Sequence, residues 1–145
     1  MKFRFEPLLN LRKHHEDDCK YKLKKEEVVL LSIQRELAAV DRRTAQEAEY
    51  LKKVGTGRID PFLLSSGSRF LSYLRQKRIE IDEARVLQER QVSIAREDLI
   101  SARKARKTME RLKENFMEQQ NKAALHQEQK ILDEIGISLV HLGKR

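Results

Sequence analysis

Near the start of the chain stand three side chains of types that do chemistry: His14, His15 and Cys19. On a helix, His15 and Cys19 lie one turn apart on one face. An imidazole beside a thiol suggests a metal site or an activated nucleophile. Neither is complete. A zinc site needs four ligands, and the other histidines, His126 and His141, lie far along the chain. A nucleophile needs an oriented base, an oxyanion hole and a pocket, none of which the neighbouring residues supply. Cys19 precedes Leu23 by one helical turn on an apolar stripe, so a small residue in a helix seam is sufficient explanation for it. No catalytic residue, metal or cofactor is expected.

The segment Gly55-Thr56-Gly57-Arg58 has the glycines of a phosphate loop but not the Lys-Ser/Thr that must follow. It reads as a turn, and no small-molecule substrate is expected. Phosphate or acidic surfaces could instead meet the basic run Arg103, Lys104, Arg106, Lys107, Arg111 and Lys113, which contains one acid, Glu110. A basic-region DNA reader would follow such a run with strong leucine heptads. Here the heptads on both sides are weak and no aromatics interleave, so nucleic acid is disfavoured. A solvated helix face and a protein-docking face both remain open for this run.

A further cluster surrounds the only internal concentration of turn residues, Gly55–Ser68. Tyr50, Phe62, Phe70 and Tyr73 lie there, with Leu74. Phe70, Leu74, Lys77 and Ile81 follow a 4-3-4 spacing and share a helix face. They either seal the end of a helical hairpin or form a docking patch, since both tasks use the same residue types.

The elements that must position these groups are helices. Of 145 residues, 37% are charged and 6% aromatic, with 5 Gly, 2 Pro and no Trp. That usage suits long helices and coiled coils and disfavours sheet, collagen and low-complexity disorder. The balance of 31 Lys+Arg against 23 Asp+Glu gives a net charge of +8. The first helix is expected over about 6–54, with a stripe of Leu23, Leu30, Ile33, Leu37, Val40, Thr44, Ala48, Leu51 and Val54. The connection spans 55–67. The second helix is expected over about 68–136, capped by Ser66 or Ser68 and stopped at Gly136, with a tail over 137–145. Its stripe reads Phe70, Leu74, Ile81, Ala84, Val92, Ala95, Leu99, Ala102, Ala105, Met109, Leu112 and Phe116. Glu26, Thr44 and Glu47, then Gln88, Gln91 and Asp98, interrupt the two stripes.

At ~1.5 Å per residue the second helix would be roughly 100 Å long. The narrow stripes suit one partner helix each. The expected fold is therefore all-α, a single elongated antiparallel two-helix coiled-coil hairpin. No stretch approaches the ~20 apolar residues of a membrane span, and the charged beginning is not that of a secretory signal. A reducing, cytoplasmic setting is expected from the single cysteine.

The opening Phe3-Arg4-Phe5-Glu6-Pro7-Leu8-Leu9-Asn10-Leu11-Arg12 resembles the start of flagellar FliJ proteins, which often read F-x-(F/L)-x-x-L-L-x-L-R. Gln129-Lys130-Ile131-Leu132-Asp133-Glu134-Ile135 is similar to the acidic-apolar end common in that family. The resemblance implies a stalk component of the flagellar type III export apparatus, lying peripherally at the cytoplasmic face of the inner membrane. It implies as partners the hexameric export ATPase, the export gate membrane protein and export chaperones. By the same analogy the ATPase side would use Arg4, Arg12, Lys13, Arg103, Lys104, Arg106 and Lys107, and the gate side Tyr50, Phe70, Leu74, Lys77 and Ile81. The stalk of a virulence-type secretion system and a generic basic coiled-coil adaptor are the alternatives.

Overall fold

Two helices account for nearly all of residues 2–144, the part described in this computed structural model. Helix α1 spans Glu6–Val54 and α2 spans Pro61–Gly143. Among the described residues there is no strand. Acidic Glu6 in the first turn of α1 and Lys52 and Lys53 in its last turn complement the helix dipole. At its end, the Gly55 amide donates to the Leu51 carbonyl (3.0 Å) and the Thr56 hydroxyl to the Lys53 carbonyl (2.8 Å).

The second helix departs from expectation at both ends. It begins at Pro61, not near Ser68, because Asp60 caps it: the Phe62 amide donates to Asp60 Oδ1 at 3.0 Å. Proline at the first helical position needs no amide partner, and its fixed φ is already helical. The turn cluster is therefore shorter than its composition suggests. Gly67 is a buried helical residue at a close approach, where a Cβ would collide with the Leu51 side chain. At the far end α2 runs through Gly136 to Gly143. No described residue has a positive φ, so the left-handed stop expected at Gly136 is not formed.

The chain's contacts divide it into two units, one covering Asp18–Ile100 and the other combining the residues up to Asp17 with those from Ser101 onward. In the first, Val40, Leu74, Val92, Ala95 and Leu99 are buried, with Leu23, Leu30, Ile33, Leu37, Leu51, Val54, Phe70 and Ile81 half-buried. Cross-helix pairs establish that α1 and α2 run antiparallel here: Glu27 meets Arg96 (3.7 Å), Asp41 meets Arg78 (2.7 Å), and Leu51 faces Gly67. Two of the expected seam interruptions satisfy one another, since the Gln88 amide donates to the Glu26 carbonyl (3.0 Å) and also to its carboxylate. Thr44 donates to the Val40 carbonyl of its own helix at 2.8 Å. Gln91 and Asp98 are exposed and do not interrupt the seam, and Ala84 is exposed where Arg85 is half-buried. The observed phase, 81-85-88-92-95-99, explains these corrections: 84, 91 and 98 fall one residue off the alternating steps of three and four.

In the other unit Leu9, Glu16, Ala102 and Met109 are buried. Phe3 packs against Phe116 with ring centroids 5.6 Å apart, and Lys113 reaches Glu6 at 2.9 Å, so α1 and α2 are antiparallel here also. Lys113 occupies the seam position expected for Leu112, which is exposed, because its apolar stem covers the seam while its ammonium finds a carboxylate. From residue 121 to 144 every residue is exposed.

Candidate partner-binding surfaces

The groups that suggested chemistry at the start of the chain are separated by burial. Cys19 is buried in the seam, and His14 and His15 are exposed. Burial, then the charges of Asp98 and Asp18, push the Cys19 thiol above its usual value, which disfavours the thiolate a nucleophile needs. Among the described residues, no three His, Cys, Asp or Glu side chains gather as a metal-holding group. In the Gly55-Thr56-Gly57-Arg58 turn the first two amides donate to Leu51 and Lys53 carbonyls, finishing α1 rather than facing a phosphate.

The hairpin set splits between core and surface. Leu74 is buried and Phe70 and Ile81 are half-buried, so these three help build the seam. Phe70 stacks on Tyr73 (6.2 Å between centroids) and carries the Arg43 guanidinium 5.6 Å above its ring. Tyr50 and Lys77 are exposed. Tyr73 and Phe62, members of the turn cluster that lie outside the proposed gate-side set, are exposed too, as is Ile59, which the sequence does not mark. A turn-flanking aromatic that falls outside the heptad phase is the signal that separates Tyr73, as a surface residue, from Phe70 in the seam.

The basic set also splits. Arg4, Arg12, Lys13, Lys104 and Lys107 are exposed. Arg106 is half-buried and held across the seam: its guanidinium donates to Glu16 and to Glu110, the latter at 2.8 Å. Hydrogen bonds to Glu110 and then Glu16 raise its pKa further. Arg103 also approaches Glu16, at 3.5 Å. Glu16 was missed in the sequence because a carboxylate in a run of charges reads as solvated. Counting the heptad back three residues from Cys19 places it in the seam, where its side chain is 4% exposed. All seven of these basic residues belong to the unit that pairs the beginning of α1 with the later part of α2.

A family model described as flagellar FliJ protein matches residues 1–145. The chain belongs to the FliJ family. Membership makes it a protein of the type III export stalk class, a family of structural and adaptor proteins. No curated protein matches the chain in sequence. A solved structure described as a YscO homolog, CT670, from Chlamydia trachomatis shares the fold with a TM-score of 0.65 at 21% identity, covering 99% of this FliJ-family chain and 98% of that one. Among the described residues, no helix is long and apolar enough to cross a membrane.

Proposed function

We propose that this chain is the stalk of the flagellar export apparatus that engages the export ATPase ring through its basic unit and couples it to the export gate through its hairpin unit. Supporting this reading is the segregation of the two residue sets. Arg4, Arg12, Lys13, Lys104 and Lys107 are exposed cations of one unit, while Tyr50, Tyr73 and Lys77 are exposed around the turn of the other. Exposed cations on a helix can meet several acidic subunit surfaces in turn without locking to one, since each surface ion pair contributes little. In this reading Arg106 is an internal strut and not a contact. The protein would work at the cytoplasmic face of the inner membrane, and export chaperones would be further partners.

Co-purification with the flagellar export ATPase followed by a hydrolysis assay tests it. Lys104→Glu with Lys107→Glu is expected to reduce stimulation while helicity stays intact; unchanged stimulation refutes the basic surface. Tyr50→Ala with Tyr73→Ala is expected to weaken binding to the gate's cytoplasmic part, because both rings are exposed and their loss does not open the seam.

A further inference from the structure

The side of α2 that faces away from α1 carries an apolar stripe of its own. Ile79, Val86, Leu87 and Ile94 are exposed, and Val86 and Leu87 line a shallow groove of about 350 Å³ with Asp82, Glu83 and Arg90. At 100° per residue these four apolar residues, together with Glu83 and Arg90, fall in a sector about 100° wide. Its centre points about 170° away from the seam residues Ile81, Arg85, Gln88, Val92, Ala95 and Leu99. The whole stripe lies in the unit Asp18–Ile100.

No helical neighbour of Glu83 or Arg90 carries the opposite charge. Three and four residues away, Glu83 has Ile79, Glu80, Val86 and Leu87, and Arg90 has Val86, Leu87, Ser93 and Ile94. Charges nearby on other faces are already engaged, Asp82 and Glu89 by Arg85, and Arg96 by Glu27. Outward from the midpoint between Val86 and Leu87, the stripe mirrors itself with its charge inverted. Glu83 stands three residues before Val86 and Arg90 three after Leu87; Ile79 stands seven before and Ile94 seven after. A two-fold axis beside that midpoint, perpendicular to the helix, makes such a face complementary to itself.

We propose that α2 of a second copy covers this face antiparallel, Glu83 of each copy meeting Arg90 of the other, Ile79 packing by Ile94, and Val86 and Leu87 of both copies closing on the axis. The flanks agree with this pairing. On one side Arg75 comes level with Glu97 of the second copy, and on the other Glu80 and Asp98 come level with its Gln91 and Gln76. A parallel pairing in register would instead set Glu83 on Glu83 and Arg90 on Arg90. The mixed charge also makes the face a poor match to an anionic membrane, which selects cations beside an apolar stripe. The contact is closed, so it stops at two copies. It goes beyond the stalk reading and does not depend on it.

Sedimentation equilibrium of the full chain over a range of concentrations tests the proposal. Glu83→Arg alone, or Arg90→Glu alone, puts two like-charged pairs into the dimer and is expected to weaken it about tenfold. Mixing these two variants restores both pairs and should recover the parental association as a heterodimer. So should Glu83→Arg with Arg90→Glu in one chain. Leu87→Glu sets two carboxylates side by side at the axis and is expected to abolish the dimer. The altered residues are exposed, so each variant is expected to keep its helicity by circular dichroism. A chain that stays monomeric throughout the range overturns the proposal, as does failure of the mixed variants to recover. Association that ignores Glu83 and Arg90 but is lost with Leu132→Glu also overturns it, because the contact would then lie at the exposed end of α2.

Discussion

Replacing Gly67 by alanine sets two effects against each other. In a helix interior alanine is favoured over glycine by about 1 kcal/mol. At this position, however, a Cβ collides with the Leu51 side chain across the seam, meeting both its methyl groups and its Cγ. Overpacking of this kind costs about 1–3 kcal/mol. Leu51 is only half-buried and can partly rotate away, which holds the cost to the middle of that range, about 2 kcal/mol. Gly67→Ala is therefore expected to destabilise the protein by about 1 kcal/mol net, against the helix-propensity trend. In a Leu51→Ala background the obstacle is gone and the same change should stabilise by about 1 kcal/mol, so the two sites should couple by about 2 kcal/mol. Urea denaturation followed by circular dichroism, run as a double-mutant cycle, measures this directly. Additive effects, or a stabilising Gly67→Ala in the parent chain, would show that Gly67 is not a contact point and that the close approach of the helices is misassigned.

Three other perturbations have defined outcomes. Glu16→Ala leaves Arg106 with Glu110 alone and should lower the melting temperature, whereas Glu16→Leu combined with Arg106→Met should recover it, because an apolar pair replaces the buried ionic one. If the double replacement is no better than the single, the ion pair is itself the source of stability. Cys19 should resist alkylation in the folded chain and react on unfolding. Because its folded pKa is raised, the stability it contributes is present below the ordinary thiol value and is lost as pH rises through the folded one. Rapid alkylation under native conditions, with no change in stability across that alkaline range, would contradict its burial. Leu9→Ala, at 1% exposure, should cost about 2–5 kcal/mol. By contrast, Leu132→Glu should leave thermal unfolding at low protein concentration unchanged; a lowered melting point there would mean that the end of α2 is covered within the chain.

Much of the architecture was legible because helices are local. Scarce glycine and proline, one turn cluster and alternating steps of three and four identify two long helices. They also assign Leu23, Ile33, Val40, Val92 and Leu99 to the seam. The boundary of α2 was misread because serines and Gly67 resemble turn residues by type. Asp60 followed by Pro61 is the stronger start signal, and Gly67 is small because Leu51 is close. Ala84 and Leu112 were misassigned for a related reason. Apolar character marks the seam only in part, because Arg85 and Lys113 fill it with their stems.

The candidate surfaces divide along the same line. The amino-acid order alone determined a basic, all-helical chain, the aromatic cluster at its turn, and the opening motif that places it with the FliJ proteins. Which cations point outward was decided only by tertiary structure. Glu16 and Arg106 are ninety positions apart, and each looks solvated in its own neighbourhood. Once α1 and α2 lie antiparallel, the seam removes water from Glu16, and a carboxylate without water must take its hydrogen bonds from a guanidinium on the facing helix. That pairing ties the half-buried Arg106 to the seam and leaves Lys104 and Lys107 facing solvent.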